Sequence, residues 1–159
     1  SSSSAASDVY KRQGLGAPHW DAKARGVLTG ITRDTSPKEI VRATIEAVAY
    51  QTYDLFEAMK HDGLRPKIVK VDGGMVMNNW FSQFLSDIVN VKVLRPRVQE
   101  TTAVGAAFMA GLQIGVYKSL KDISQIWHLD RKFSPGMSSK SRNQLLKGWS
   151  AAIKKTLTN

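Results

Sequence analysis

Apolar positions between residues 37 and 62 recur at three- and four-residue spacing: Val41, Ile45, Val48, Thr52, Leu55 and Met59 fall on one helical stripe. Ser36-Pro37-Lys38-Glu39 stands ahead of it, with a serine to cap, a proline at the first helical position and a glutamate three residues after the cap. Gly63 is a C-terminal stop. The pattern predicts a long amphipathic helix from Ser36 to about Asp62, with Ile45, Val48 and Leu55 buried. Lys67–Asp72 (KIVKVD) alternates, is rich in β-branched residues and reads as a strand. Gly26–Arg33 (GVLTGITR) reads as another, interrupted by Gly30. After Gly73-Gly74 a second helix starts near Asn78 or Asn79 and buries Phe81, Phe84, Leu85 and Ile88. A short strand, Val91–Leu94, is stopped by Arg95-Pro96.

A third helix, about Thr101 to Ile114, is faced with small residues: Ala103, Gly105, Ala106, Ala107, Ala110 and Gly111. Glycine inside a helix costs up to ~1 kcal/mol, so the expectation is that close packing on a neighbouring backbone offsets it. From Ser119 to Asn159 one short and one terminal helix flank a loop at Ser134-Pro135-Gly136. This alternation predicts an α/β domain layered around a sheet.

Residues 1–13 (SSSSAASDVYKRQ) show neither period and read as a disordered leader or assembly remnant. The domain proper is expected over 14–159.

Composition narrows the chemistry. The 159 residues include no cysteine, which excludes disulfides, thiolate nucleophiles and cysteine-ligated metals, and suits a reducing cytoplasm. The net charge is +10, and residues 118–159 hold nine Lys/Arg against two Asp/Glu, or 9 − 2 = +7 of it. Those charges are spread among Ser, Leu and Ile rather than gathered into a nucleic-acid footprint, so a solvated terminal helix is the simpler reading. No apolar run is long enough to span a bilayer. His19, His61 and His128 lack metal-type spacing. Trp20, Trp80, Trp127 and Trp149 read as packing anchors.

The strand–Gly-Gly–helix unit Val71–Trp80 (VDGGMVMNNW) carries the most chemical information. Two glycines after a strand allow positive φ and let a ligand lie against the backbone, while the helix start offers free N–H groups and Asn78 an amide. A plain strand–helix turn with Asn as its cap would look the same. Neither GxxxxGK[ST] nor GxGxxG is present. Asp72 could act as a base, although an Asp at a strand end more commonly caps its turn.

Taken together these residues resemble the C-terminal ATPase lobe of the FGGY carbohydrate kinases, a family with the actin/hexokinase-like (ribonuclease H-like) α/β fold. The family's second signature runs from a small residue through an apolar one and a glycine to an acidic–apolar step and Ala-x-apolar-acidic. Gly26, Leu28, Gly30, Ile31, Glu39, Ile40, Ala43, Thr44, Ile45 and Glu46 meet it. Gly14–Gly26 (GLGAPHWDAKARG) resembles the glycerol-kinase branch, with His19 where that branch prefers Tyr and Ala22 where it prefers Pro.

The resemblance implies ATP-dependent phosphorylation of glycerol to sn-glycerol 3-phosphate, with ATP and Mg2+, in a cytoplasmic homo-oligomer. It implies that Gly74 and Asn78 contact the adenine nucleotide, with Gly73 and Met75 beside them. It places the catalytic base, the glycerol pocket and the phosphate-binding hairpins upstream of Gly14, so the chain alone is expected to be inactive. Alternatives are another FGGY kinase, such as one for a pentulose, or a non-catalytic basic binding module.

Overall fold

The computed structural model describes residues 14–98 and 101–158. The expected leader at 1–13 lies outside the described residues. Elements follow in the order α1 (Pro37–His61), β1 (Ile68–Lys70), a 3-10 turn (Gly74–Met77), α2 (Asn79–Val89), β2 (Lys92–Pro96), α3 (Thr101–Gln113), α4 (Leu120–Gln125), β3 (Leu129–Phe133) and α5 (Ser139–Thr156). They fall into two compact units, one ending at Arg65 and resuming at Met137, the other Pro66–Gly136.

In the first unit α1 is unbroken and both its ends are closed by the residues expected. Ser36 and Glu39 form a reciprocal capping box, in which the Ser36 N–H donates to Glu39 Oε2 at 2.8 Å and Ser36 Oγ accepts from the Lys38 N–H at 3.3 Å. Gly63, at φ 85°, ends the helix: its N–H donates to the Lys60 carbonyl and that of Leu64 to Met59, a Schellman closure.

The buried face differs from the expected aliphatic stripe. Ala49, Tyr50 and Phe56 are buried, Ile45 and Val48 are half-buried, and Leu55 and Val41 are exposed. What turns the helix is its partner. Tyr50 stacks on Trp149 of α5 with ring centroids 5.4 Å apart, and the Trp149 indole N–H donates to Asp54 Oδ2 at 2.8 Å.

Asp21 fastens the chain's end to the 14–25 loop. Its carboxylate accepts from the Thr158 N–H at 2.8 Å and hydroxyl at 2.8 Å, and from the Lys23 and Ala24 N–H groups. These donors, the Thr158 N–H foremost, hold its carboxyl below the usual aspartate range.

The expected strand at Gly26–Arg33 is not formed. The segment is irregular, and Val27, Leu28 and Ile31 are exposed. Its β-branched residues suit a strand, but a strand needs a neighbour's hydrogen bonds, and no strand within the described residues of this unit offers them.

The second unit is built on a three-stranded sheet in the order β1-β2-β3, parallel then antiparallel. β1 and β2 pair Ile68 with Lys92 and Lys70 with Leu94, and α2 is their crossover. Phe81, Phe84, Leu85 and Ile88 are all buried, as their spacing predicts, and cover Val93 and Phe133. β2 does not stop at Leu94: it continues through Arg95 to Pro96, where its register with β3 shifts. β3 has no counterpart in the sequence reading, because only Phe133 of its five residues is buried.

The small face of α3 does not pack on a backbone here. A Cβ at Gly105 would meet nothing within 4 Å, Ala106 is exposed, and Gly111 alone on this helix is buried.

Candidate functional site

β1 delivers the chain to Asp72, and the next two glycines do different jobs. Gly73 lies at φ 86°, ψ 173°, a conformation essentially closed to residues with a Cβ. That makes it the hinge that swings the backbone off the sheet. Gly74 opens the 3-10 turn without a positive φ, and a Cβ there would meet nothing within 4 Å. Nothing inside the described protein therefore requires glycine at 74. The backbone is bare toward solvent, as a surface for a flat ligand must be.

Asn78 ends that turn and begins α2. Its N–H donates to the Met75 carbonyl at 3.2 Å, which folds it back over the turn. Its Oδ1 accepts from the Trp80 N–H at 2.9 Å and the Phe81 N–H at 3.2 Å, so the helix cap is real. Capping uses only the oxygen. The Nδ2 amide has no protein acceptor among the described residues and remains a donor for a ligand. Met75, Met77 and Trp80 are exposed beside it, at 47%, 54% and 42%, which gives the turn an apolar surround. Gly73, Gly74, Met75 and Asn78 are thus brought together on one exposed edge, where the strand ends and a helix starts, the place at which open α/β sheets receive ligands.

Asp72 does not close its own turn. Its Oδ2 accepts from the Thr101 hydroxyl, which ties the end of the strand to the first residue of α3.

Sequence reasoning missed Arg95, which it took as a strand stop. Arg95 is 7% exposed and on the same face as buried Val93. Its Nε and Nη2 donate to Asp130 Oδ2, each at 2.7 Å. Its Nη1 lies 2.8 Å from the Val76 carbonyl, 3.2 Å from that of Met77 and 3.0 Å from Asn79 Oδ1. The signal was the alternation itself. Extending β2 by one residue puts Arg95 on the Val93 side, and a charge on a core face needs partners.

In the first unit, Gly14, Gly16, His19, Gln51, Asp54 and Trp149 border an open cleft of about 130 Å³. His19 Nε2 and Asp54 Oδ2 are 3.3 Å apart there, so this histidine is a packing partner rather than a ligand-ready group. His61 is exposed. Trp149 and Trp80 anchor packing as expected, Trp80 by stacking on Phe84 at 5.1 Å, whereas Trp20 is 77% exposed and anchors nothing. Among the described residues no group of three or more His, Asp or Glu could hold a metal, and no helix is long and apolar enough to cross a membrane.

Comparison with known proteins gives a consistent result. The model of the FGGY family of carbohydrate kinases, C-terminal domain, matches residues 6–114. Glycerol kinase 1 of Pseudomonas aeruginosa is 55% identical over 142 residues, 89% of this chain and 29% of that protein. The glycerol kinase of Gluconobacter oxydans is 49% identical over 146 residues, 91% and 28% of the two chains. Among solved structures, Plasmodium falciparum glycerol kinase with ADP superposes with a TM-score of 0.78 at 32% identity, covering 98% of this chain and 34% of that one. A xylulose kinase from Lactobacillus acidophilus matches at 0.68 and 26% identity, covering 93% and 33%. The chain spans less than a third of the length of the curated relatives it matches.

Proposed function

This chain belongs to the FGGY family of carbohydrate kinases, with their actin/hexokinase-like ATPase fold, and we propose that it supplies the adenosine-binding wall of a glycerol kinase. The reaction moves the γ-phosphoryl group of ATP to a terminal hydroxyl of glycerol: an O–P bond to glycerol forms, the bond to ADP breaks, and the hydroxyl proton leaves to a base. Such transfer depends on holding the nucleotide in line with the acceptor. The base is assigned to a part of the protein outside this chain.

Within that division of labour Gly74 lets the adenosine lie on bare backbone, and the Asn78 amide donates a hydrogen bond to it. Gly73 sets the direction of the turn, and Met75 flanks it. The observation that carries this reading is the open Cβ position at Gly74 beside an Asn78 amide whose Nδ2 is not used in the cap. ATP is the phosphoryl donor. Mg2+ is the metal the family implies, but the described residues do not form a cage for it, and nothing in this chain's role runs through one.

Glycerol is preferred over a pentulose because the two bacterial glycerol kinases compared stand at 55% and 49% identity, and among the solved structures the glycerol kinase stands at 32% against 26% for the xylulose kinase. The cytoplasm and a homo-oligomer are the setting that goes with this reading. The test is to assay the full-length protein carrying this sequence with ATP and glycerol, D-xylulose or gluconate in parallel. ATP-dependent formation of glycerol 3-phosphate, with the other two substrates far slower, is expected. Preference for either sugar substrate would overturn the assignment.

A further inference from the structure

We propose that Arg95 is a positioning residue that sets the nucleotide turn, by holding the backbone carbonyls just before Asn78 and the Asn79 side chain just after it with a single guanidinium. The inference rests on the adenosine reading of that turn.

Met77 and Asn79 flank Asn78, and both present an oxygen to the same Arg95 nitrogen, Nη1, at 3.2 and 3.0 Å. The Val76 carbonyl, one residue earlier, is closer still at 2.8 Å and also accepts from the buried Ser82 hydroxyl at 2.9 Å. A 3-10 turn leaves its last carbonyls without partners of their own, and here the guanidinium collects them. Asp130 then fixes the guanidinium from the far side, through Nε and Nη2. The plane of Arg95 is therefore set from β3, and the turn is set from Arg95. A freely rotating residue 78 would spread its amide over many directions. With its neighbours latched and its own oxygen committed to the cap, the Nδ2 direction is fixed before a ligand arrives, which reduces the ordering cost of binding.

The arrangement needs an arginine. Its five donors lie in one plane and point two ways at once, toward Asp130 and toward the turn. A lysine ammonium is a point donor that cannot span both. α2 itself is secured separately by Phe81, Phe84, Leu85 and Ile88, so loosening the latch should move the turn more than the unit.

The experiment is steady-state kinetics of the full-length protein carrying Arg95→Lys, Asn79→Ala or Gly74→Val, with thermal melting of each. Asn79→Ala removes one of the three acceptors and keeps Arg95, so it carries the test if Arg95→Lys fails to fold. Expected is a rise of about five-fold or more in ATP KM for Arg95→Lys, a smaller rise for Asn79→Ala, and a glycerol KM within about two-fold of wild type in both. If KM for both substrates, kcat and Tm all deteriorate together, Arg95 is only a structural ion-pair member and the inference is wrong. If Gly74→Val raises ATP KM while Arg95→Lys and Asn79→Ala do not, the inference is overturned and the adenosine reading stands. If none of the three moves ATP KM, the adenosine reading falls and this inference falls with it.

Discussion

Gly73 and Gly74 are neighbours of identical chemistry with opposite reasons to exist, and substitution should separate them. At Gly73 the backbone itself demands glycine, with φ 86° and ψ 173°. Gly73→Ala should cost roughly 1–3 kcal/mol in a denaturant titration, through strain rather than through contact, since an added Cβ meets no atom within 4 Å. At Gly74 neither strain nor contact opposes a side chain. Gly74→Val should leave the melting temperature of the full-length protein nearly unchanged while raising its ATP KM at least tenfold, about 1.4 kcal/mol of binding, with glycerol KM unaffected. A large loss of stability with unchanged ATP KM would mean that the turn is only a turn. Both glycines and Asn78 were legible in the sequence because turn chemistry is local. Of Arg95 only the core-facing position was legible, through the alternation of β2; its partners stand 16 to 19 and 35 positions away and no local pattern marks them.

Among the elements, what was legible followed the same boundary between local and distant causes. Helix caps, the Gly63 stop and the four-residue core of α2 depend on nearby residues, and they stand where the spacing put them. The orientation of α1 depends on Trp149, and the strand at Gly26–Arg33 depends on a pairing partner, so neither could be read from its own segment. β3 lacked alternation because an edge strand exposed along most of its length does not need it. For α1, Ser36→Ala should destabilise the chain by roughly 0.5–2 kcal/mol at neutral pH. The Ser36 hydroxyl, and then its N–H, hold the Glu39 carboxyl below its ordinary value of 4.5. A carboxylate depressed on folding stabilises above its unfolded pKa and loses that contribution as pH falls through the folded one. The difference between wild type and Ser36→Ala should therefore shrink in melts near pH 3, and a constant difference from pH 7 to 3 would contradict a charged capping box. For α3, the overturned packing reverses the expected sign. Gly105 sits in open space within a helix, so Gly105→Ala should stabilise the isolated chain by roughly 0.5–1 kcal/mol. The same change in the full-length protein should destabilise if the small face is covered there. Stabilisation in both would show that this face is never packed.

At the scale of the molecule, exposed apolar side chains gather on particular segments. Val27, Leu28 and Ile31 lie exposed on a segment that satisfies the family's signature yet forms no strand, and Ile114 and Val116 follow α3 at 77% and 65% exposure. Apolar side chains at this density on solvent-facing backbone suit surfaces that other parts of a protein cover. Two of the nine basic residues in 118–159, Lys154 and Lys155, occupy the last turn of α5, where cations offset the helix dipole. The described residues place the Gly73–Asn78 turn on one edge, hold the Asp72 carboxylate against Thr101, and bring no acidic cluster to that edge. In-line transfer needs nucleotide, acceptor and base within one arrangement, and positioning alone is worth several powers of ten in rate. The 159-residue chain incubated with ATP, Mg2+ and glycerol should therefore release no glycerol 3-phosphate above the protein-free control, while the full-length protein turns over. ADP should bind the isolated chain more weakly than the full-length protein, and Asn78→Ala should weaken what binding there is. Glycerol-dependent turnover by the isolated chain would place the base within these residues and overturn the assignment of a nucleotide wall alone.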